Sequence, residues 1–226
     1  MENQSKNPKK RASVLSPDGV RQAIGYLGII MPAILMVGTL TIGNCSHLQD
    51  SISHYYFTIM GGFLVATLCA FAVILFIYQG YGLKDNLITS FAGLCALGIA
   101  LFATTHIEDV DCMVCCLSDC KARIFTHYIS AALFFITLSY ISIFIFTKSD
   151  GVKTPEKIKR NRVYRTCGIV MLVSIFFIFL IRIIPWLGDN LKAIKPVFLL
   201  EWIALVAFGI SWLVKGNTMF RDKPNK

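Results

Sequence analysis

Six apolar runs divide this chain, and Lys and Arg are sorted by side around them. The runs read Ala23–Ile42, Phe57–Tyr78, Leu87–Thr104, His127–Phe146, Val163–Ile184 and Val197–Val214. Each is long enough to cross a hydrocarbon layer of about 30 Å as a helix of about 20 residues. The pattern predicts an all-α, six-transmembrane-helix bundle. One set of alternating segments holds Lys6, Lys9, Lys10, Arg11 and Arg21, then Lys84. It continues with Lys148, Lys153, Lys157, Lys159, Arg160, Arg162 and Arg165, and ends with Lys215, Arg221, Lys223 and Lys226. Of the 22 basic residues, the other set carries only Lys121, Arg123, Arg182, Lys192 and Lys195. Positive charge marks the cytoplasmic side, so both termini are expected in the cytoplasm.

Composition decides what the basic excess means. Hydrophobic residues make up 55% of the chain and charged residues 15%, with a formal net charge of +9. On a soluble protein this excess would point to nucleic acid. Here it lies on the expected inner connections, where the anionic leaflet explains it, and no basic patch is interleaved with aromatics. Nucleic acid is therefore not an expected partner, whereas membrane lipid is. The expected location is the bacterial inner membrane.

The first run reads as a permanent span. A long polar stretch precedes it, and its apolar core exceeds the roughly 7–15 residues of a secretion signal. Gly43-Asn44-Cys45 has the outline of a lipoprotein cleavage site, but Asn44 stands where a small residue belongs. The expected organisation is a disordered tail over 1–22, a membrane domain over 23–216 and a short tail over 217–226. Pro32 lies mid-span, where a proline removes one backbone donor. Gly62, Ala66 and Ala70 form one small-residue ladder and Ala92, Ala96 and Ala100 another. Both are expected to let helices approach closely, as small residues do in lipid. Tyr55 and Tyr56 are expected in an interfacial aromatic belt.

The eight cysteines split by place. Cys69, Cys95 and Cys167 lie within spans and read as small hydrophobes. Cys45, Cys112, Cys115, Cys116 and Cys120 face the expected outer side. In an oxidising compartment they should form disulfides, with an odd thiol left over. Two bridges are expected, one of them tying Cys45 to the third connection. Two other chemistries share these residues. Cys112-Met113-Val114-Cys115 has the spacing of a thiol–disulfide exchange pair, although Glu108, Asp109 and Asp111 would raise the pKa of a nearby thiol. Cys112, Cys115 and Cys120 with His106 or His127 have the donor types of a zinc site.

All four histidines, His47, His54, His106 and His127, lie on the expected outer side. Ser51, Ser53, Arg182 and Glu201 fall at a similar depth by helix counting. Ionisable residues within spans are rare and usually face the bundle interior. Arg182 and Glu201 lie on consecutive spans, so an ion pair between them is the plainest expectation. The functional counterpart is a polar pocket at the outer edge, walled by Ser53, His54, His127, Arg182 and Glu201.

S-I-S-H-Y-Y-F-T at 51–58, G-Y-G-L-K-D-N at 80–86, A-L-F-A-T at 100–104 and E-W-I-A-L-V-A-F-G-I-S-W-L-V-K-G at 201–216 carry a resemblance. The chain resembles a family of bacterial six-span inner-membrane proteins of unassigned activity. The resemblance implies the fold and the membrane, and shared roles for Ser51, Ser53, Tyr55, Asp85, Asn86, Glu201 and Trp202. The cysteine-rich connection stands outside it. Ser53, His54 and His127 also give the chain a distant likeness to alkaline-ceramidase and adiponectin-receptor-like membrane hydrolases, which work through zinc. This chain has no H-x-x-x-H on its last span. The resulting expectation is an integral membrane protein that binds a lipid or small ligand at its outer polar edge. Thiol–disulfide exchange and metal-dependent lipid hydrolysis are the enzyme alternatives. No cofactor and no protein partner is legible.

Overall fold

The computed structural model describes residues 16–43, 45–78, 80–105, 112–115, 117–118, 120–149, 151 and 154–222. All its regular elements are helical. Seven α-helices follow in order: α1 Pro17–Thr41, α2 Gly61–Ile77, α3 Leu83–Leu101, α4 Lys121–Tyr140, α5 Pro155–Ile183, α6 Pro185–Leu191 and α7 Pro196–Lys215. A π-helical turn, Ile141–Ile145, extends α4, and a short 3-10 helix, Ile52–Phe57, precedes α2. Five helices are long and apolar enough to cross a membrane: α1, α3, α4 with its extension, α5 and α7. The chain is thus a multi-pass membrane protein. The second run yields a shorter apolar helix, α2, of 17 residues. At about 1.5 Å per residue it is about 25 Å long. Of its expected first turn, Phe57 ends the 3-10 helix and residues 58–60 form a turn.

Two boundaries differ from expectation for local reasons. Helix α1 starts at Pro17, inside the stretch expected to be disordered, because Ser16 caps it by accepting from the Gly19 N–H at 3.0 Å. Residues 1–15 lie outside the described residues. Helix α5 starts at Pro155, so the basic segment expected as a loop is largely its first two turns. Thr154 caps it through the Lys157 N–H, with proline at the first helical position and Glu156 in the first turn. These are the ordinary start signals of a helix.

The six long helices close a ring in chain order. Helix α1 packs on α2, α2 on α3, α3 on α4, α4 on α5, and α7 sits between α5 and α1. Helices α1 and α7 approach closely. A Cβ on Gly209 would lie 2.5 Å from the Gly25 carbonyl oxygen, so only glycine lets these backbones touch. The two alanine ladders part company. Ala92, Ala96 and Ala100 are buried, and a Cβ on Gly93 would lie 3.0 Å from the Ala72 carbonyl. Gly62 and Ala66 are exposed, so the ladder expected on α2 faces away from the bundle. The packing face of α2 is instead Leu64, Leu68, Phe71, Ala72 and Leu75.

Alternating helix direction gives the bundle a basic end and a cysteine end. At the basic end Gln22 donates to the Gly216 carbonyl at 2.6 Å, and Lys148 Nζ reaches both oxygens of Asp85 at 2.6 and 2.8 Å. Residues 217–222 fold back on the bundle, with Arg160 bonded to Asp222 at 2.7 Å. The segment 223–226 lies outside the described residues.

Candidate functional site

The mouth at the cysteine end is filled by the first connection. Ser51 caps the 3-10 helix Ile52–Phe57 and accepts from the His54 N–H. Ile52, Tyr55 and Phe57 are buried, so Tyr55 is a core residue and not part of an interfacial belt. Its ring lies 6.0 Å from that of Phe198. A disulfide joins Cys45 to Cys112, with Cα atoms 4.9 Å apart, and ties this connection to the third one. The Val114 N–H adds a backbone bond to the Phe57 carbonyl at 2.8 Å.

Both bonded cysteines are buried. That favours a structural bond over exchange, which needs an accessible sulfur. The engaged Cys45 thiol is also unavailable for lipidation. Cys115 and Cys120 carry free, exposed thiols, so the second bridge expected of this group is not formed between them. Cys116, His106, Glu108, Asp109 and Asp111 lie outside the described residues. Among the described residues no three His, Cys, Asp or Glu side chains stand together as a metal site would require.

Below this plug a cavity of about 470 Å³ opens between α4, α5 and α7. Ser51, Ser53, His127, Arg182 and Glu201 form its polar part, and Ala131, Ile178, Phe179 and Val197 belong to its apolar wall. Of the residues expected at a polar edge, four thus meet in one space. His54 stands outside this lining. Its Nε2 is buried and has no hydrogen-bond partner among the described residues. Burial, and then the nearby Arg182, push its pKa down to about 4, which keeps the ring neutral.

The ion pair expected between Arg182 and Glu201 does not form. Glu201 Oε2 accepts the Ile52 N–H at 2.5 Å, and so holds the start of the 3-10 helix. The Arg182 guanidinium stacks over the Tyr128 ring, 5.2 Å from its centroid. Each charge has found a partner that its own position offers: a free backbone donor for the carboxylate, an aromatic face for the guanidinium.

His127 is the most constrained of the polar residues, being buried with both ring nitrogens engaged. Nδ1 lies 2.6 Å from the Phe102 carbonyl oxygen and Nε2 lies 3.0 Å from Ser53 Oγ. A carbonyl only accepts, so Nδ1 carries the proton. In the neutral ring Nε2 then accepts from the Ser53 hydroxyl. Phe102 acts here through its main chain, which no side-chain pattern signals. Its carbonyl is freed because α3 ends at Leu101. No family model, curated protein or solved structure matches the chain.

Proposed function

We propose that this chain is a six-span protein of the bacterial inner membrane with both termini in the cytoplasm, and that it holds an amphipathic lipid at the outer edge of its bundle. The charge sorting supports the orientation, since the basic end is then cytoplasmic. A disulfide at the other end accords with an oxidising outer compartment. The single observation that carries the lipid reading is the two-part lining of the cavity between α4, α5 and α7. It has one polar end with a guanidinium, and an otherwise aliphatic and aromatic wall. Apolar lining with a few convergent polar groups is the general character of small-ligand sites. A lipid would place its acyl chain along Ile178 and Phe179, and an anionic headgroup beside Arg182.

Native mass spectrometry of the protein in detergent, after incubation with a diether phosphatidylglycerol, tests this. The wild type should retain lipid, and Ala131→Trp, which fills the cavity from α4, should lose it while melting at the wild-type temperature. Equal retention by the two, or none by the wild type, overturns the reading.

A further inference from the structure

We propose that Ser53 and His127 form a nucleophile–base pair that cleaves acyl esters of the lipid held in this cavity. The proposal rests on the lipid reading above and adds an activity to it.

Three parts of an activated serine are present. The nucleophile is hydrogen-bonded to a base, the base is oriented by a third group, and the pair borders a space able to hold a substrate. Ser53 Oγ lies 3.0 Å from His127 Nε2, within the reach that proton transfer needs. The Phe102 carbonyl, 2.6 Å from Nδ1, fixes the tautomer that leaves Nε2 free to accept. It fills the orienting role that a carboxylate plays in a serine triad. Both side chains line the cavity, and Arg182 lines it too. Glu201 is occupied by the Ile52 N–H and takes no part in the pair.

The chemistry closes with water as the only co-reactant. Ser53 Oγ attacks the ester carbonyl carbon while its proton passes to His127 Nε2. The tetrahedral intermediate expels the alcohol, whose oxygen takes that proton, and an acyl–Ser53 ester remains. Water then attacks this ester with His127 again accepting the proton. The acyl chain leaves as a carboxylic acid, and the hydroxyl of Ser53 is restored. The substrate class is a long-chain acyl ester bearing an anionic headgroup, because the wall is apolar and the only cation in the lining is Arg182.

A long-chain alkyl fluorophosphonate tests the pair directly, since an activated serine displaces its fluoride and keeps the phosphonyl group. The full-length protein in phosphatidylglycerol vesicles should gain one adduct, mapped by mass spectrometry to Ser53. Ser53→Ala should abolish it. His127→Gln should slow its formation about 100-fold, the lower range for loss of a general base. Vesicles with a fluorescent acyl chain should release the free acid with the wild type and not with Ser53→Ala. Lipid retention by native mass spectrometry is read in parallel with a diether phosphatidylglycerol, which offers no ester to cleave. Retained lipid with no adduct at Ser53 overturns the pair and leaves the lipid site standing. Loss of both overturns both. An adduct that forms as fast in His127→Gln shows an inactivated neighbour rather than a base, and also overturns the pair.

Discussion

The two ends of the bundle are built from similar residue types and held together differently. At the basic end charges meet charges. Asp18 pairs with Arg21 at 2.9 Å, Asp85 with Lys148 and Asp222 with Arg160. Cations also rest on rings, Arg21 over Tyr78 and Lys215 over Tyr81 and Phe146. At the cysteine end one ion pair, Lys195 with Asp50, stands beside a covalent bond and bonds to main-chain groups: Cys45 to Cys112, Glu201 to the Ile52 N–H, His127 to the Phe102 carbonyl. Arg123 reaches the Ala103 and Thr104 carbonyls at 2.6 and 2.8 Å. The basic end has main-chain ties as well, from Gln22 to the Gly216 carbonyl and from Lys157 to the Phe146 carbonyl. What sets the cysteine end apart is its covalent bond and the cavity that its polar groups line.

Three measurements break or sharpen this contrast. The largest effect should come from the disulfide, which closes a loop across 67 positions of sequence. Replacing Cys45 and Cys112 by alanine should cost about 3 kcal/mol, and reduction of the wild type should reproduce it in thermal melts. If the melts coincide with the oxidised protein, hydrogen bonds alone hold the mouth. Next is Asp85→Asn at the basic end. Asp85 is buried and also accepts from the Tyr81 N–H, so loss of its charge should cost about 2 kcal/mol. Denaturant titration at low and high salt checks it. A loss that vanishes in high salt would make the pair a surface interaction.

The effect that is smallest near neutral pH, and grows only on acidification, comes from His54. His54 has a folded pKa of about 4, below its ordinary value of 6.5, with Arg182, Asp50, His127 and Lys195 around it. The unfolded chain then binds the proton more readily. The contribution of neutral His54 is intact above about pH 7 and is lost as pH falls from 6.5 toward 4. The loss should reach about 3 kcal/mol as pH nears 4, and His54→Gln should flatten melting temperature over that interval. An unchanged slope in the variant would remove His54 from this account.

The apolar runs made the helical class legible, because length and hydropathy suffice for that, and five of the six runs gave helices long enough to span while the second gave a shorter one. The tie from Cys45 to the third connection was legible for a similar reason, since few outward thiols compete. The 3-10 helix was not. S-I-S-H-Y-Y has the look of an interface, and only Ser51 as a helix-capping residue signalled otherwise. The face of α2 was misjudged because small residues permit close packing without compelling it, and its larger residues took the core instead. The contact of Gly25 with Gly209 and that of Ser53 with His127 join distant parts of the chain. A helical period gives the face of a residue, but not which helix will stand opposite. Arg182 and Glu201 illustrate the same gap. Their depth was legible, and their separate partners, a ring and a main-chain donor, were not.

The ring of helices has a consequence for the order in which the protein can be completed. Each helix from α2 to α5 finds its neighbour already made when it emerges from synthesis. Helix α1 cannot. One of its flanks, the strip around Gly25, waits for the last helix of the chain. Until α7 arrives, α1 and α5 face a gap, and Ile52 has no carboxylate to receive its N–H. The final helix is therefore the keystone. A chain stopped before residue 196 would have every other long helix in place and still leave both the ring and the mouth unclosed.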